Sequence, residues 1–266
     1  MPLNIPVITK VSFENPEKNS VTVAWQKPVD TSKIQGPYKY RLYKKKAAEA
    51  NFSLLHDFPE TILLKDTFFI DSDVELPANN SYYVQFLYRK KGVNEALFDS
   101  SEIAGNVQLF AKPIENGIEL TWSAQTPWAN NIDSLHYILR KKKTESTFDT
   151  IAKIRFKQNI KSFSYNDFNL YNGQALSACD TFLYFVTTSG SYANLEVNPA
   201  LLLNNSYTVT GTIKTTTPPQ APTLQDISYD CAEFSQAPPY KNVLNWSKSS
   251  SITSPKNVNS SVSVLI

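Results

Sequence analysis

The stretch Ser20-Val21-Thr22-Val23-Ala24-Trp25 alternates in side-chain character, ends in tryptophan and is followed fifteen residues later by Tyr40. The same phrase returns as Gly117-Ile118-Glu119-Leu120-Thr121-Trp122, and Tyr137 again follows after fifteen residues. A third run of this kind is Asn242-Val243-Leu244-Asn245-Trp246. Alternation with a period of two indicates a half-buried β-strand. A repeat of about a hundred residues indicates modules arranged in series.

The composition suits such modules and argues against several other classes of protein. The 266 residues include 14 Tyr, 15 Phe and 4 Trp, enough for each module to bury an aromatic core. The net charge of +2 is too small to indicate a nucleic-acid partner. No apolar run approaches the roughly 20 residues that cross a bilayer, so direct membrane insertion is not expected.

Turn residues divide the chain into short strands, which predicts an all-β fold with almost no helix. Strand runs separated by Pro, Asn, Asp and Gly at regular spacing are typical of β-sandwiches. The predicted organisation is a first module at residues 5–104, a second at 106–214, a Pro- and Thr-rich linker at 215–222 and an incomplete third module at 223–266.

Two expectations concern how the modules are joined and where they stop. Ser100–Gly105 is predicted to be the whole connection between the first two modules, which leaves little slack for independent motion. Residues 223–266 offer two clear strands and a third at Val262–Ile266, too few to close a seven-stranded sandwich. The third module is therefore expected to be a truncated one.

The chain resembles the fibronectin type III domain, an immunoglobulin-like sandwich. The resemblance rests on the two Trp strands, on the Tyr fifteen residues later, and on Leu76 and Tyr82, which have the family's six-residue spacing. In the second module Tyr184 takes the place of Tyr82. The alternation places the Trp rings in the core, and the resemblance adds the other members. The expected core set is Trp25, Tyr40, Leu76, Tyr82, Trp122, Tyr137 and Tyr184.

Several separated phrases also look like those of large secreted surface proteins of gliding bacteria. These phrases are Gly36–Tyr43, Thr188–Tyr192, Asn204-Asn205-Ser206 and Pro218–Pro222. Such proteins carry tandem fibronectin-like modules before a gliding-motility-associated domain for type IX secretion. The resemblance implies an extracellular or cell-surface location, and a role in adhesion or spacing.

Candidate catalytic and metal-binding residues are few. His56 and His136 fall in different modules, which argues against a paired site. The run Asp71-Ser72-Asp73-Val74-Glu75 places three carboxylates on one face of an extended segment, where calcium or plain solvation is conceivable, and solvation is favoured. Cys179 and Cys231 form no metal motif and are expected to be unpaired. No cofactor is predicted.

Two basic runs and one tryptophan are candidates for a contact surface. Lys44, Lys45 and Lys46 occupy the same place in the first module as Arg140, Lys141, Lys142 and Lys143 in the second. They could form a cationic row for acidic glycans or nucleic acid, or they could protect strand edges from aggregation. Trp128 lies in a turn sequence, so its ring is either a contact residue or a cap over its own core.

The sequence thus leads to two main functional hypotheses and one minor one. The first is a non-catalytic spacer or adhesion segment of a secreted or cell-surface bacterial protein, present as a monomeric fragment of a longer chain. The alternative is an accessory module of a secreted enzyme that binds a polysaccharide or a protein. Catalysis by the chain itself is the least favoured, since no nucleophile, phosphate loop or acid–base pair stands out.

Overall fold

The computed structural model describes most of the chain up to residue 214 and three strands beyond it. The described residues are 5–93, 95–126, 135–155, 162–168, 170–171, 176, 180–192, 202–214, 224–229, 241–246 and 262–265. None of these residues is helical. The all-β prediction is therefore confirmed.

The first module is a sandwich of two antiparallel sheets. Its strands are β1 (Val7–Ser12), β2 (Val21–Gln26), β3 (Ile34–Lys45), β4 (Ser53–Asp57), β5 (Thr67–Asp71), β6 (Ser81–Lys90), β7 (Ala96–Ser100) and β8 (Ala104–Gly105). One sheet has the order β1-β2-β5 and the other β4-β3-β6-β7, with β8 also paired to β6. Alternation in β2 buries Val21, Val23 and Trp25 between the sheets, as the alternating pattern of residues 20–25 predicts.

The second module repeats this topology. Its strands are β9 (Gln108–Ile114), β10 (Gly117–Ser123), β11 (Leu135–Lys142), β12 (Asp149–Arg155), β13 (Ser162–Asp167), β14 (Phe182–Gly190), β15 (Leu202–Asn205) and β16 (Val209–Gly211). The sheets have the orders β9-β10-β13 and β12-β11-β14-β15, and β16 pairs with β14. Ile118, Leu120 and Trp122 of β10 form part of a second buried core, separate from the first.

A buried serine interrupts the last strand of each module. Ser101 follows β7, and its Oγ accepts a hydrogen bond from Val84 N at 2.9 Å. Ser206 follows β15, and its Oγ accepts one from Val186 N, also at 2.9 Å. Besides joining the modules, residues within Ser100–Gly105 therefore complete the first sandwich, through Ser101 and β8.

The third tryptophan run continues the repeat in its backbone. The strands β17 (Leu224–Tyr229), β18 (Lys241–Trp246) and β19 (Val262–Leu265) form one antiparallel sheet with β18 in the middle. Leu224 is paired with Trp246 just before a register shift, as Ile8 is paired with Trp25 before a shift in the first module. The described part of this region thus contains one sheet, and the module boundaries stay predictions.

Contacts divide the chain into two compact units, Met1–Lys214 and Thr215–Ile266. The first unit holds both complete sandwiches. The two sandwiches therefore belong to one compact unit.

Candidate functional site

A lysine, an aspartate and a tyrosine form a buried polar group in the first module. Lys44 Nζ lies 2.7 Å from Asp71 Oδ2, with side-chain exposures of 5% and 2%. Tyr82 Oη donates a hydrogen bond to the same carboxylate oxygen at 2.7 Å. The ammonium also donates to the backbone carbonyl of Asp73, in the loop after β5. Burial, and then the Asp71 charge, raise the pKa of Tyr82 above its ordinary value.

The second module contains the same arrangement with arginine as the cation. Arg140 Nη1 lies 2.8 Å from Asp167 Oδ2, with side-chain exposures of 6% and 0%. Tyr184 Oη donates to this oxygen at 2.8 Å, and Arg140 Nη2 donates to the carbonyl of Leu170 at 3.1 Å. Cation and aspartate are 27 residues apart in both modules. The repeat thus extends to a buried ion pair that ties β3 to the end of β5, and β11 to the end of β13.

The basic runs differ from the expected cationic row. Lys44, Arg140 and Lys141 are buried, so they are not surface residues. Lys46 Nζ is paired with Asp73 at 2.8 Å, and Lys142 Nζ with Asp180 at 3.0 Å. Lys45 Nζ lies 5.4 Å from the centre of the Phe52 ring, and Lys143 is exposed. Internal partners therefore compensate most of this positive charge.

The acidic run at the end of β5 is explained by the same pairs. Asp71 serves the buried ion pair, and Asp73 is bound by Lys46, whose hydrogen bond lowers the pKa of that carboxyl. Among the residues that the structure describes, no group of three or more His, Cys, Asp or Glu side chains could hold a metal ion. The structure gives no support to the calcium alternative.

Most of the expected core residues lie between the sheets. Trp25, Tyr40, Tyr82, Trp122 and Tyr184 are buried, and Leu76 packs half-buried against the first core. The candidates Trp128, Cys179 and Cys231 lie outside the described residues.

Tyr137 is the exception in the core set, because His136 takes the buried position that Tyr40 has in the first module. Tyr137 is half-buried, with Lys153 Nζ 5.6 Å from the centre of its ring. The chain from Trp122 to His136 spans 14 residues, one fewer than from Trp25 to Tyr40. A shift of one residue in a strand turns the neighbouring side chain inward.

His136 is held by a hydrogen bond that has no counterpart in the first module. Trp122 Nε1 donates to His136 Nδ1 at 2.9 Å, and the His136 ring meets Phe163 edge to face at 4.4 Å. Trp25 Nε1 has no hydrogen-bond partner within the described part of the chain, and its ring packs against Tyr40 instead. Burial lowers the pKa of His136 to about 4.

This low pKa predicts a loss of stability in mild acid. Because the unfolded chain binds the proton near pH 6.5, the contribution of neutral His136 is complete above that pH and is lost as the pH falls toward 4. We expect the free energy of unfolding to fall by roughly 2–3 kcal/mol between pH 7 and pH 4.5 from this group. Urea denaturation across this range measures it. His136→Gln should abolish this part of the decline and His56→Gln should retain it; equal profiles would contradict the prediction.

The two modules meet along the edge strand β1, in a set of contacts that we call the clasp. It joins β1 and the following residues up to Glu17 to Lys141, Tyr192 and residues 202–208 of the second module. Val11 N donates to the buried Asn204 Oδ1 at 3.0 Å. Phe13 N donates to Asn205 O at 3.2 Å, and Asn205 N donates to Ser12 Oγ at 2.9 Å. An edge strand that would otherwise present open backbone groups is thus covered by the neighbouring module.

Apolar and charged groups reinforce the clasp. Val7 and Leu202 are buried together, and Tyr192 packs on them while its Oη donates to Ile8 O at 2.9 Å. Tyr207 packs edge to face on Phe13 at 5.5 Å. Lys141 Nζ lies 3.0 Å from Glu17. Residues of the second module therefore enter the packing of the first.

A second contact point lies beside β8. Gly105 N donates to Gln125 O at 2.7 Å, and Ser81 Oγ donates to Gln125 Oε1 at 3.0 Å. A Cβ atom at Gly105 would lie 2.7 Å from Asn79 Oδ1 and 3.3 Å from Gln125 Oε1, so a larger residue there would displace these side chains. Together with the clasp, this contact fixes the junction at two separate places.

Comparison with known proteins does not assign the chain to a family. No family model matches the sequence, and no curated protein matches it. The chain is similar to the crystal structure of the FN1–FN3 domains of chicken CNTN1, with 12% identity, 99% of this chain and 86% of that chain covered, and a TM-score of 0.28. At that score the likeness carries no weight, so the fold assignment rests on the strand order and the two cores. The described residues include no helix long and apolar enough to span a membrane.

Proposed function

We propose that residues 5–214 form a non-catalytic spacer of fixed geometry within a larger secreted or cell-surface protein. The observation that carries this proposal is the clasp, in which backbone and side-chain hydrogen bonds join the two modules along β1. A flexible tether would need only the chain connection, whereas these contacts favour one relative position. A segment that holds its ends in a defined arrangement is suited to spacing or presenting other parts of a surface protein.

The internal use of the charged residues supports a structural role. The two clusters of charged residues that most suggested a binding site, around Asp71 and around Arg140, form buried ion pairs that join strands. Their side chains are at most 6% exposed, so they are poorly placed to contact a substrate in solvent.

The proposed setting is the surface of a gliding bacterium, with adhesion as the related role. Its support is the set of phrases that resemble secreted surface proteins of such bacteria, including Thr188–Tyr192 and Asn204-Asn205-Ser206. Tyr192, Asn204 and Asn205 are clasp residues. The resemblance therefore falls on the contacts that would fix the geometry of a module pair.

Nitrogen-15 relaxation of the full chain tests the spacer proposal. One rotational diffusion tensor should fit the strand amides of both modules, because the clasp prevents independent tumbling. The double variant Asn204→Ala/Asn205→Ala removes two clasp side chains and leaves the Val11 amide unpaired, so a single tensor should fit its strand amides less well than those of the unmodified protein. Asn166→Ala, at an exposed position of the same module, is the control. Two independent tensors in the unmodified protein would contradict a fixed geometry.

A second candidate function, binding of a polysaccharide, is favoured by a groove beside the clasp. It does not involve the basic runs from which the sequence suggested binding.

A further inference from the structure

We propose that the groove between β1, β2, β5 and β15 binds a neutral saccharide ring of a polysaccharide chain. Its volume is about 360 Å³, within the size range of small-ligand sites. The site goes beyond the spacer role, but it needs the clasp, because Leu202 and Leu203 of β15 supply one of its walls.

The floor of the groove is a low point in the outer face of the first sheet. Ala24 of β2 is paired with Lys10 on one side and with Phe68 on the other. A methyl group between a long side chain and an aromatic ring leaves a depression across the three strands. The register shift between Ile8 and Lys10 lies at its edge, and an extra residue there bends an edge strand locally.

The walls of the groove combine exposed apolar surface with polar groups. Phe68 is 63% exposed and Leu203 is 44% exposed, so both present apolar surface to solvent. Lys10 and Asp66 lie at the rim and offer donors and acceptors; the Lys10 side chain is 36% exposed and its Nζ also lies 2.9 Å from Glu14 Oε1. Asp66 Oδ1 accepts one hydrogen bond from Lys27 N at 3.0 Å, which uses one of the carboxylate's roughly four acceptor positions.

This lining fits a saccharide better than an apolar side chain of a protein partner. Anchors at protein interfaces gain most of their binding energy in well-packed, fully desolvated pockets. This groove is open, as the exposure of Phe68 shows, and cannot enclose such an anchor. A sugar ring has one apolar face for the Phe68 ring and hydroxyl groups at its edge for Lys10 and Asp66. The amphipathic ring therefore matches both kinds of surface.

Titration of the full chain with cellohexaose, xylohexaose, laminarihexaose and chitohexaose tests the proposal. At least one oligosaccharide should shift the amide signals of Ala24, Phe68 and Leu203, with a dissociation constant on the order of 1 mM. Phe68→Ala should weaken binding at least about tenfold, because the stacking face is lost. Ala24→Gln fills the floor of the groove and leaves the Phe68 ring in place, and it should weaken saccharide binding as well.

Ile70→Ala is the matched control, because Ile70 is 55% exposed on the same strand and lies outside the groove. It should leave the dissociation constant unchanged. N-acetyl-leucinamide, titrated in the same way, is the probe for an apolar side chain of a protein partner. The proposal is overturned if no oligosaccharide shifts these amides, if Ile70→Ala weakens binding as much as Phe68→Ala, or if N-acetyl-leucinamide is the only one of these ligands that binds there. If the relaxation data show a closed clasp and no sugar binds, the saccharide site fails and the spacer proposal stands.

Discussion

Replacing Asp167 by alanine is expected to lower the free energy of unfolding by about 3–5 kcal/mol, because Arg140 would stay buried without its counter-charge. Asp71→Ala should have a comparable effect through Lys44. Both variants also leave a buried tyrosine hydroxyl without its acceptor. Chemical denaturation followed by intrinsic fluorescence measures the loss.

Two further variants distinguish the stability effect of breaking the buried ion pair from the effect of removing an exposed charge. Asp73→Ala removes a carboxylate that is 81% exposed and should cost at most about 1 kcal/mol. The triple variant Lys44→Met/Asp71→Leu/Tyr82→Phe removes the whole polar group and should recover most of the stability lost in Asp71→Ala, since apolar replacements of buried pairs are often neutral. If Asp71→Ala were no more harmful than Asp73→Ala, the structural importance of the pair would be refuted.

Truncation of Trp122 should be about as damaging. Trp122→Ala is expected to cost on the order of 3–5 kcal/mol, from lost burial and from the cavity that remains. It also removes the donor that holds His136. Trp25→Ala should act similarly on the first core, without a hydrogen-bond contribution from the described residues.

Phe110→Ala is the control for the Trp122 prediction, because Phe110 is paired with Thr121 on the neighbouring strand and is exposed. Thermal unfolding should show a much smaller change for this variant than for Trp122→Ala. Equal melting temperatures for Trp122→Ala and the unmodified protein would contradict the sandwich core.

The strands were predictable because their determinants are local. Alternation in 20–25 and 117–122 needs only neighbouring residues to specify one buried face, and the turns between strands carry their own residue signature. The same reasoning misplaced Tyr137, since the spacing from Trp122 to the buried position in β11 is one residue shorter than from Trp25 to Tyr40, and nothing local reveals which side chain points inward.

Non-local partners were harder to predict. From the sequence alone, Lys44 and Arg140 look like surface charges. Only folding brings the aspartates that lie 27 residues later in the chain beside them. That equal spacing was present in the sequence and could have revealed the pairs. The clasp joins residues about 190 positions apart, such as Val11 and Asn204, and no local pattern predicts which edges of two modules will meet. The groove depends on that contact and was missed for the same reason.

Hydrogen exchange of the full chain tests the clasp most directly, because it reads out the amides that form it. The clasp requires that the amides of Val11, Phe13 and Asn205 are protected to an extent comparable with Val84 and Val186 inside the two sandwiches. Exchange of these three amides at the rate of an unfolded chain, while Val84 and Val186 remain protected, would contradict it.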